Sequence, residues 1–316
     1  MRPRDVNLFD PALYTELRKP LDQAHGLPPA CYFDEAFYQR ELETIFHTGW
    51  VMVGRVERLP EPGSYFTAEF GATRLILTRA EDGRLHALAN TCRHRGSPLL
   101  EGEGRCKTIA CPYHAWTYGL DGKLLGAPGM KESLGFDTAE YPLHSARVDT
   151  WGGFIFVCLS PLTVPLASWL GDLPARLDMY GFEHMRTGRR VSYDVACNWK
   201  VWVENFMEGY HIPTVHRSTI SRQKAVNIPE DPGRGEYTAI YERHEGTRAL
   251  LYGDRLPAHR DSQRRLVRGQ PIRTGLSGHH VGHRQRHHVV LRGPPLERRA
   301  HPHLAHGLLP GAALRA

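Results

Sequence analysis

The sequence predicts an α+β protein: an all-β module over residues 49–160, followed by an α+β region that stops before it is complete. Three patterns carry that expectation. Residues 49–160 break into short strand-like runs separated by tight-turn residues. Residues 161–254 mix helical and strand periods. From Arg255 onward neither period can be read.

In chain order, DEAFYQRELETIFHT (34–48) reads as an amphipathic helix. Asp34 is a suitable N-cap, and Phe37, Leu42, Ile45 and Phe46 share one broad face. RLILTR (74–79) and RLHALAN (84–90) flank Glu81-Asp82-Gly83, a hairpin signal. Asp121-Gly122 marks a second hairpin between WTYGL and KLLGA, and GGFIFVCL (152–159) is apolar enough for a buried strand. PLASWLGDLPARLDMYGF (165–182) reads as a helix interrupted at Pro174. RRVSYDVACN (189–198) alternates like a strand, WKVWVENFMEGYH (199–211) reads as a helix, and EYTAIYERHE (236–245) as a strand.

The chain has 316 residues, of which 41% are hydrophobic, so it can bury a core. No apolar run approaches the roughly 20 residues that span a bilayer. MRPRDVNLFD at the start has no apolar signal core, so the expected location is cytoplasmic. Six scattered cysteines in such a chain are read as free thiols or metal ligands rather than disulfides.

The net charge of +6 belongs to one segment. Residues 255–316 hold twelve Arg, no Lys and two acids, which leaves residues 1–254 with 28 basic and 32 acidic residues. The folded body therefore carries no electrostatic signature of nucleic-acid binding. Residues 255–316 also lack Phe, Trp and Tyr and hold nine of the nineteen histidines. A basic interaction tail, a histidine-rich metal tract and a shifted reading frame all enrich Arg, His or Pro. Basic tails normally contain lysine, so the frameshift is the preferred reading.

Two constellations carry chemistry. Cys92-Arg93-His94 and Cys111-Pro112-Tyr113-His114 bring two thiols and two imidazoles to the ends of one β segment. These donor types suit structural zinc as well as an iron–sulfur cluster. Cys106, between the pairs, has no partner of its own and is read as an ordinary thiol. Farther on, Glu204, Glu208 and His211 fall at i, i+4 and i+7 of the expected helix, and His216 follows His211 by five. Pro213 argues for a helix break that lets His216 return beside His211. Two histidines and a carboxylate with open positions form a non-heme Fe(II) triad. Alone, such residues are more often surface or core side chains, and Glu204 is read as a salt-bridge partner.

C-R-H-R-G (92–96) and C-P-Y-H-A-W-T-Y (111–118) resemble the two ligand loops of Rieske proteins. With N-W-K…E-N-F…E-x-Y-H-x4-H (198–216) behind them, residues 27–254 resemble the large (α) subunit of Rieske non-heme iron oxygenases, the ring-hydroxylating dioxygenase superfamily.

The resemblance implies a Rieske [2Fe-2S] domain (49–160) held through Cys92, His94, Cys111 and His114. Gly96 would form a tight loop, with Tyr113 and Trp116 shielding the cluster from water. It implies a partial, helix-grip-like catalytic domain (161–254), with residues 1–48 packed on it and the tail at 255–316. His211 and His216 would hold mononuclear Fe(II). Glu208 would link that iron to a cluster, usually in the neighbouring subunit of a homotrimer. Asn205 and Phe206 would line the pocket. Glu at position 208, where most ring dioxygenases have Asp, resembles members acting on choline, betaine or carnitine. The implied activity is that of a terminal oxygenase using O2 and electrons from NAD(P)H through a separate reductase or ferredoxin. Its substrate would be a small aromatic or quaternary ammonium compound, and its product the hydroxylated, dihydroxylated or demethylated molecule. The family's third iron ligand is a late Asp. No residue of the tail, Asp261 included, stands in a matching context, so an electron carrier or inactive fragment is the rival reading.

Overall fold

The computed structural model describes residues 6–20, 22–188, 190, 192–193, 195–207, 210–216, 225–227, 234–245 and 283–291. Among them the chain forms a β-rich module followed by helices and a second sheet, as the α+β reading expects. Helix α1 (Glu35–Glu41) starts where Asp34 Oδ1 accepts the Phe37 N–H at 2.8 Å, and it continues as a π-turn over Leu42–Phe46. The turn buries Leu42 and Phe46, while Phe37 and Ile45 are half-buried. Glu41 is buried too, which the amphipathic pattern does not foresee.

Ten strands follow. They are β1 (Val51–Arg55), β2 (Ser64–Phe70), β3 (Thr73–Arg79), β4 (Leu85–Ala89), β5 (Glu103–Arg105), β6 (Ile109–Ala110), β7 (Thr117–Tyr118), β8 (Leu124–Gly126), β9 (Ser145–Trp151) and β10 (Phe154–Cys158). A seven-stranded antiparallel sheet runs β1-β10-β9-β4-β3-β2-β5, and a small sheet runs β6-β7-β8. Both hairpins turn where the Asp-Gly pairs lie: Gly83 and Gly122 take φ of +81° and +87°, values L-residues with a Cβ avoid.

Strands β3 and β10 of the large sheet are buried on both faces, whereas β9 and β5 hold no buried residue. Leu75 and Leu77 of β3 enter one core with Phe66 and Ile155, while Ile76 between them enters another with Leu88, Cys92, Cys111 and Trp116. All five residues of β10 are buried, so each large side chain there contributes about 1.5–3 kcal/mol of transfer free energy.

The long helix expected over 165–182 is two short ones, α2 (Leu166–Leu170) and α3 (Leu173–Leu177). The break is at Gly171, with φ +56°, not at Pro174. Pro174 sits in the first turn of α3, where its missing N–H leaves no bond unmade. Both helices pack on Trp50, Met52, Phe154 and Phe156. The strand expected at 189–198 is reduced, among its described residues, to a bridge at Val195. Helix α4 (Trp199–Phe206) and helix α5 (Ile212–Val215) follow. Then β11 (Ala225–Asn227), β12 (Tyr237–Glu245) and β13 (His283–Leu291) form an antiparallel sheet in the order β11-β12-β13.

Strand β13 falls inside the 255–316 segment, where no period is legible, and pairs with β12 over nine residues. Backbone hydrogen bonding needs no side-chain period, which is why the pattern does not announce it. The other tail residues lie outside the described set.

Candidate functional site

The first constellation sits on two loops of matching backbone geometry. Cys92 follows β4, and the Gly96 N–H returns to the Cys92 carbonyl at 3.0 Å, while the Cys92 N–H reaches Ser97 O at 2.9 Å. Cys111 follows β6, and there the Ala115 N–H returns to the Cys111 carbonyl at 3.0 Å, while the Cys111 N–H reaches Trp116 O at 2.8 Å. Gly96 (φ +72°) and Ala115 (φ +57°) occupy the same left-handed position four residues after each cysteine. Ala115 is the one described non-glycine residue with positive φ, a backbone outlier held beside the site.

The loops sort the donors into two pairs. Cys92 and Cys111 are buried, at 3% and 5% exposure, whereas His94 is half-buried and His114 is exposed. The imidazole centroids lie 4.8 Å apart. Buried Trp116 stacks flat on His94 at 4.9 Å, and Phe136 and Tyr141 pack edge-on against Trp116. Tyr113 differs from expectation. It stacks on His114 at 3.9 Å but is itself 61% exposed, so within this chain Trp116 does the shielding.

Burial pushes the Cys111 thiol up, but the N–H groups of Tyr113 and His114 and side-chain hydrogen bonds from Cys92 and Ser97 outweigh it and hold it below the ordinary thiol range. Burial, with the charges of His114 and Arg95, holds His94 below the ordinary imidazole range. A stabilised thiolate and a neutral imidazole are the protonation states that bind metal.

Three residues around the loops have contacts that the sequence does not announce, although Arg93 and Tyr118 stand inside the two loop motifs. Asn90, buried at the end of β4, accepts the N–H groups of Leu99 and Leu100 at 3.0 Å each and donates to Leu100 O, strapping down the chain beyond the first loop. Arg93 hydrogen-bonds His144. The Tyr118 hydroxyl accepts the Arg93 N–H at 3.0 Å and lies 3.3 Å from Cys92 Sγ. Burial and the bond to Cys92 raise the Tyr118 phenol well above its ordinary range, so it remains a donor. A donor to a metal-bound sulfur raises a cluster's potential. With Cys92 as the cluster ligand that the resemblance implies, Tyr118→Phe is expected to lower the cluster's potential by ~40 mV, the one-electron equivalent of a hydrogen bond of about 1 kcal/mol. A redox titration followed by paramagnetic resonance measures this, and an unchanged potential refutes the contact's role. Cys106, half-buried, has its thiol pushed up by burial, as suits an ordinary thiol.

The second constellation departs from a single helix. Helix α4 ends at Phe206, so Glu204 and His211 do not share one continuous face. Glu208 lies outside the described residues. Pro213 does not stop a helix but occupies the first turn of α5, and His211 and His216 are the two residues that cap that turn. The Val215 N–H bonds His211 O at 2.8 Å and the His216 N–H bonds Ile212 O at 3.1 Å. One turn of helix thus brings the two rings to 5.2 Å between centroids, with planes at 64°.

Glu204 is a hydrogen-bond acceptor rather than the expected salt-bridge partner. Both of its oxygens face the Tyr32 hydroxyl, at 2.8 and 3.0 Å. Asn205 and Phe206 are exposed at the end of α4. Among the described residues no three His, Cys, Asp or Glu side chains converge on one ion. No helix among them is long and apolar enough to cross a membrane.

Comparison with known proteins places both constellations in recognised domains. Residues 49–148 match the Rieske [2Fe-2S] domain, and residues 182–294 match the ring hydroxylating alpha subunit catalytic domain. The second match runs past Arg255 and through β13. The chain is similar to chloroplastic choline monooxygenase of Arabidopsis thaliana, 33% identical over 228 residues that cover 68% of this chain and 53% of that protein. It is similar to the glycine betaine monooxygenase oxygenase subunit of Pseudomonas aeruginosa, 35% identical over 196 residues, 62% of this chain and 46% of that one. Among solved structures, the quaternary ammonium Rieske monooxygenase CntA in complex with L-carnitine superposes with a TM-score of 0.65 and 28% identity, over 70% of this chain and 64% of that one. Naphthalene 1,2-dioxygenase with indole bound gives 0.59 and 29%, over 67% and 52%. The chain spans about half the length of the curated relatives it matches.

Proposed function

Because the chain belongs to the family of Rieske non-heme iron oxygenase large (α) subunits, in the branch that holds choline, betaine and carnitine oxygenases, we propose that it is the terminal oxygenase component of a system that oxidises a small quaternary ammonium compound. One observation supports the reading: a buried cysteine pair and a more exposed, mutually packed histidine pair on two matched loops, in the same chain as two histidines capping a single helical turn.

The donor chemistry fits the groups the family carries. A Rieske cluster takes two thiolates on one iron and two imidazoles on the other, and the donors here divide in that way. Structural zinc draws four donors onto one ion, so the division favours the cluster. Cys92 and Cys111 would hold the inner iron, His94 and His114 the outer one. His211 and His216 would hold mononuclear Fe(II) as two of its three protein ligands, with the remaining positions open. When bound, the cluster supplies single electrons and the mononuclear iron supplies the place where O2 meets substrate.

The chain's own residues prepare those places. The matched loops bury the two cysteines more deeply than the two histidines, Trp116 covers one face of His94, and Tyr118 and the Tyr113 and His114 N–H groups stabilise charge on sulfur. Glu208, three residues before His211, is assigned the acidic link between the iron site and a cluster, and Asn205 and Phe206 the approach to the pocket. The electrons would come from NAD(P)H through a reductase or ferredoxin. A quaternary ammonium Rieske monooxygenase that oxidises carnitine is described as transferring electrons between subunits, and we extend that arrangement to a homotrimer of this chain.

The expected result is O2 uptake that depends on both a matched reductase and a quaternary ammonium substrate, with an aromatic substrate giving none. The composition of residues 255–316 favours a second reading, a Rieske electron carrier without a working iron site. Reduction of the cluster without substrate-dependent O2 uptake would decide for the carrier.

A further inference from the structure

Resting on the reading of His211 and His216 as iron ligands, we propose that Lys200 is a positioning residue. Its ammonium is the resident cation of an aromatic–carboxylate cage that fixes the helix leading into the iron site against the N-terminal segment.

Helix α4 is unusual in what it buries. Its one buried residue is Lys200, at 6% exposure, while Val201 and Phe206 are exposed. An apolar stripe normally holds a helix in place; here an ammonium takes that part. Lys200 Nζ meets Glu41 Oε1 at 2.7 Å and Oε2 at 2.8 Å, and Glu41 is 7% exposed. The Trp199 indole N–H donates to Glu41 Oε2 at 3.0 Å. The ammonium lies 5.5, 5.4 and 5.5 Å from the ring centroids of Tyr32, Phe37 and Trp199, all within cation–π range. Phe46 closes the arrangement by packing edge-on against Trp199 at 5.2 Å.

The same segment grips the helix again one turn later. Tyr32 lines the cage with its ring and donates its hydroxyl to Glu204. Residues 32–46 therefore hold α4 at its first and second turns, and α5 with its two histidines begins six residues beyond its end. An apolar contact would tolerate sliding. A bidentate ion pair inside three rings fixes one register, because any shift leaves a charge buried without its partner.

Hydrogen exchange on the full chain tests this, with Lys200→Ala and Glu41→Gln compared with wild type. Amides in peptides spanning 199–216 are expected to exchange at least tenfold faster in both variants. Peptides of β3 and β10, and the visible absorption of the cluster, should be unchanged. Propylammonium, which restores the missing cation, should slow exchange again in Lys200→Ala and leave Glu41→Gln fast. Wild-type exchange in both variants, loosening spread evenly through the chain, or no effect of propylammonium on Lys200→Ala would each overturn the proposal. Should Lys200→Ala lose the cluster absorption, Glu41→Gln, which opens no space, carries the comparison. Fe(II) uptake is measured in parallel against His211→Ala. If wild type binds no more Fe(II) than that variant, the iron-site reading fails, while the exchange data still decide the cage.

Discussion

Replacing His94 with Ala is expected to abolish the Rieske absorption and paramagnetic signal and to remove most of the iron of the cluster, while far-ultraviolet circular dichroism stays near that of wild type. The different depths of the donors are the reason. The sulfur pair is deep and belongs to a packed core that includes Ile76, Leu88, Ile109 and Trp116, so the β module does not need the imidazole to fold. The imidazole pair is nearer the surface, so an iron held by His94 and His114 would be exposed to water once His94 is removed. His94→Cys is the informative companion. If it retains a cluster, the extra thiolate charge is expected to move the potential from the Rieske range, roughly −150 to +300 mV, toward the roughly −400 mV of all-cysteine ferredoxins. An unchanged paramagnetic signal in His94→Ala would refute the ligand assignment, and a colourless, zinc-loaded wild type would remove the electron source from the proposed reaction.

The parts of this molecule legible in the sequence are those whose cause is local. Asp34 caps α1 because the cap is a contact over three residues. The hairpins at Gly83 and Gly122 follow from a turn conformation that one residue type tolerates. The cluster loops can be read because each packs its donors into three or four consecutive residues. What stays hidden depends on residues far apart. Glu41 and Lys200 look like ordinary surface charges on two amphipathic patterns, and only the fold, across 159 positions, shows that they are buried against each other. Glu204 reads as half of an ion pair, yet its partner is a phenol from position 32. Pro174 and Pro213 read as breakers, yet each opens a helix, since a proline at the first turn gives up a hydrogen bond that was never there to make. Strand β13 has no readable period because an edge pairing is made by the backbone.

Substituting Gly171 with Ala is expected to destabilise the chain by about 4 kcal/mol, through a clash and a strained backbone acting at one point. A Cβ at this position would stand 1.9 Å from Arg234 O, a backbone atom that cannot rotate away, and φ there is +56°. The approach is reciprocal, since a Cβ on Gly235 would meet Leu170 O at 2.5 Å. Two glycines thus let the turn after α2 touch the chain leading into β12, where the Glu236 N–H bonds Trp169 O at 2.8 Å. Asp172 locks the contact: it accepts from the Arg234 N–H, the Arg176 guanidinium and the Tyr237 hydroxyl. Burial pushes its carboxyl up, but these donors outweigh it and hold the carboxyl at about 2. Tyr237 in turn fills the core beneath α2 and α3. The junction therefore ties the β11-β12-β13 sheet to α2 and α3, which pack on the β module, and its loss should register at both ends. Thermal or denaturant unfolding of Gly171→Ala is expected to show a transition at markedly lower temperature or denaturant, with β12 peptides losing exchange protection before those of β3. A variant as stable as wild type would mean that the two backbones do not meet as described, and that the second sheet is held by other contacts.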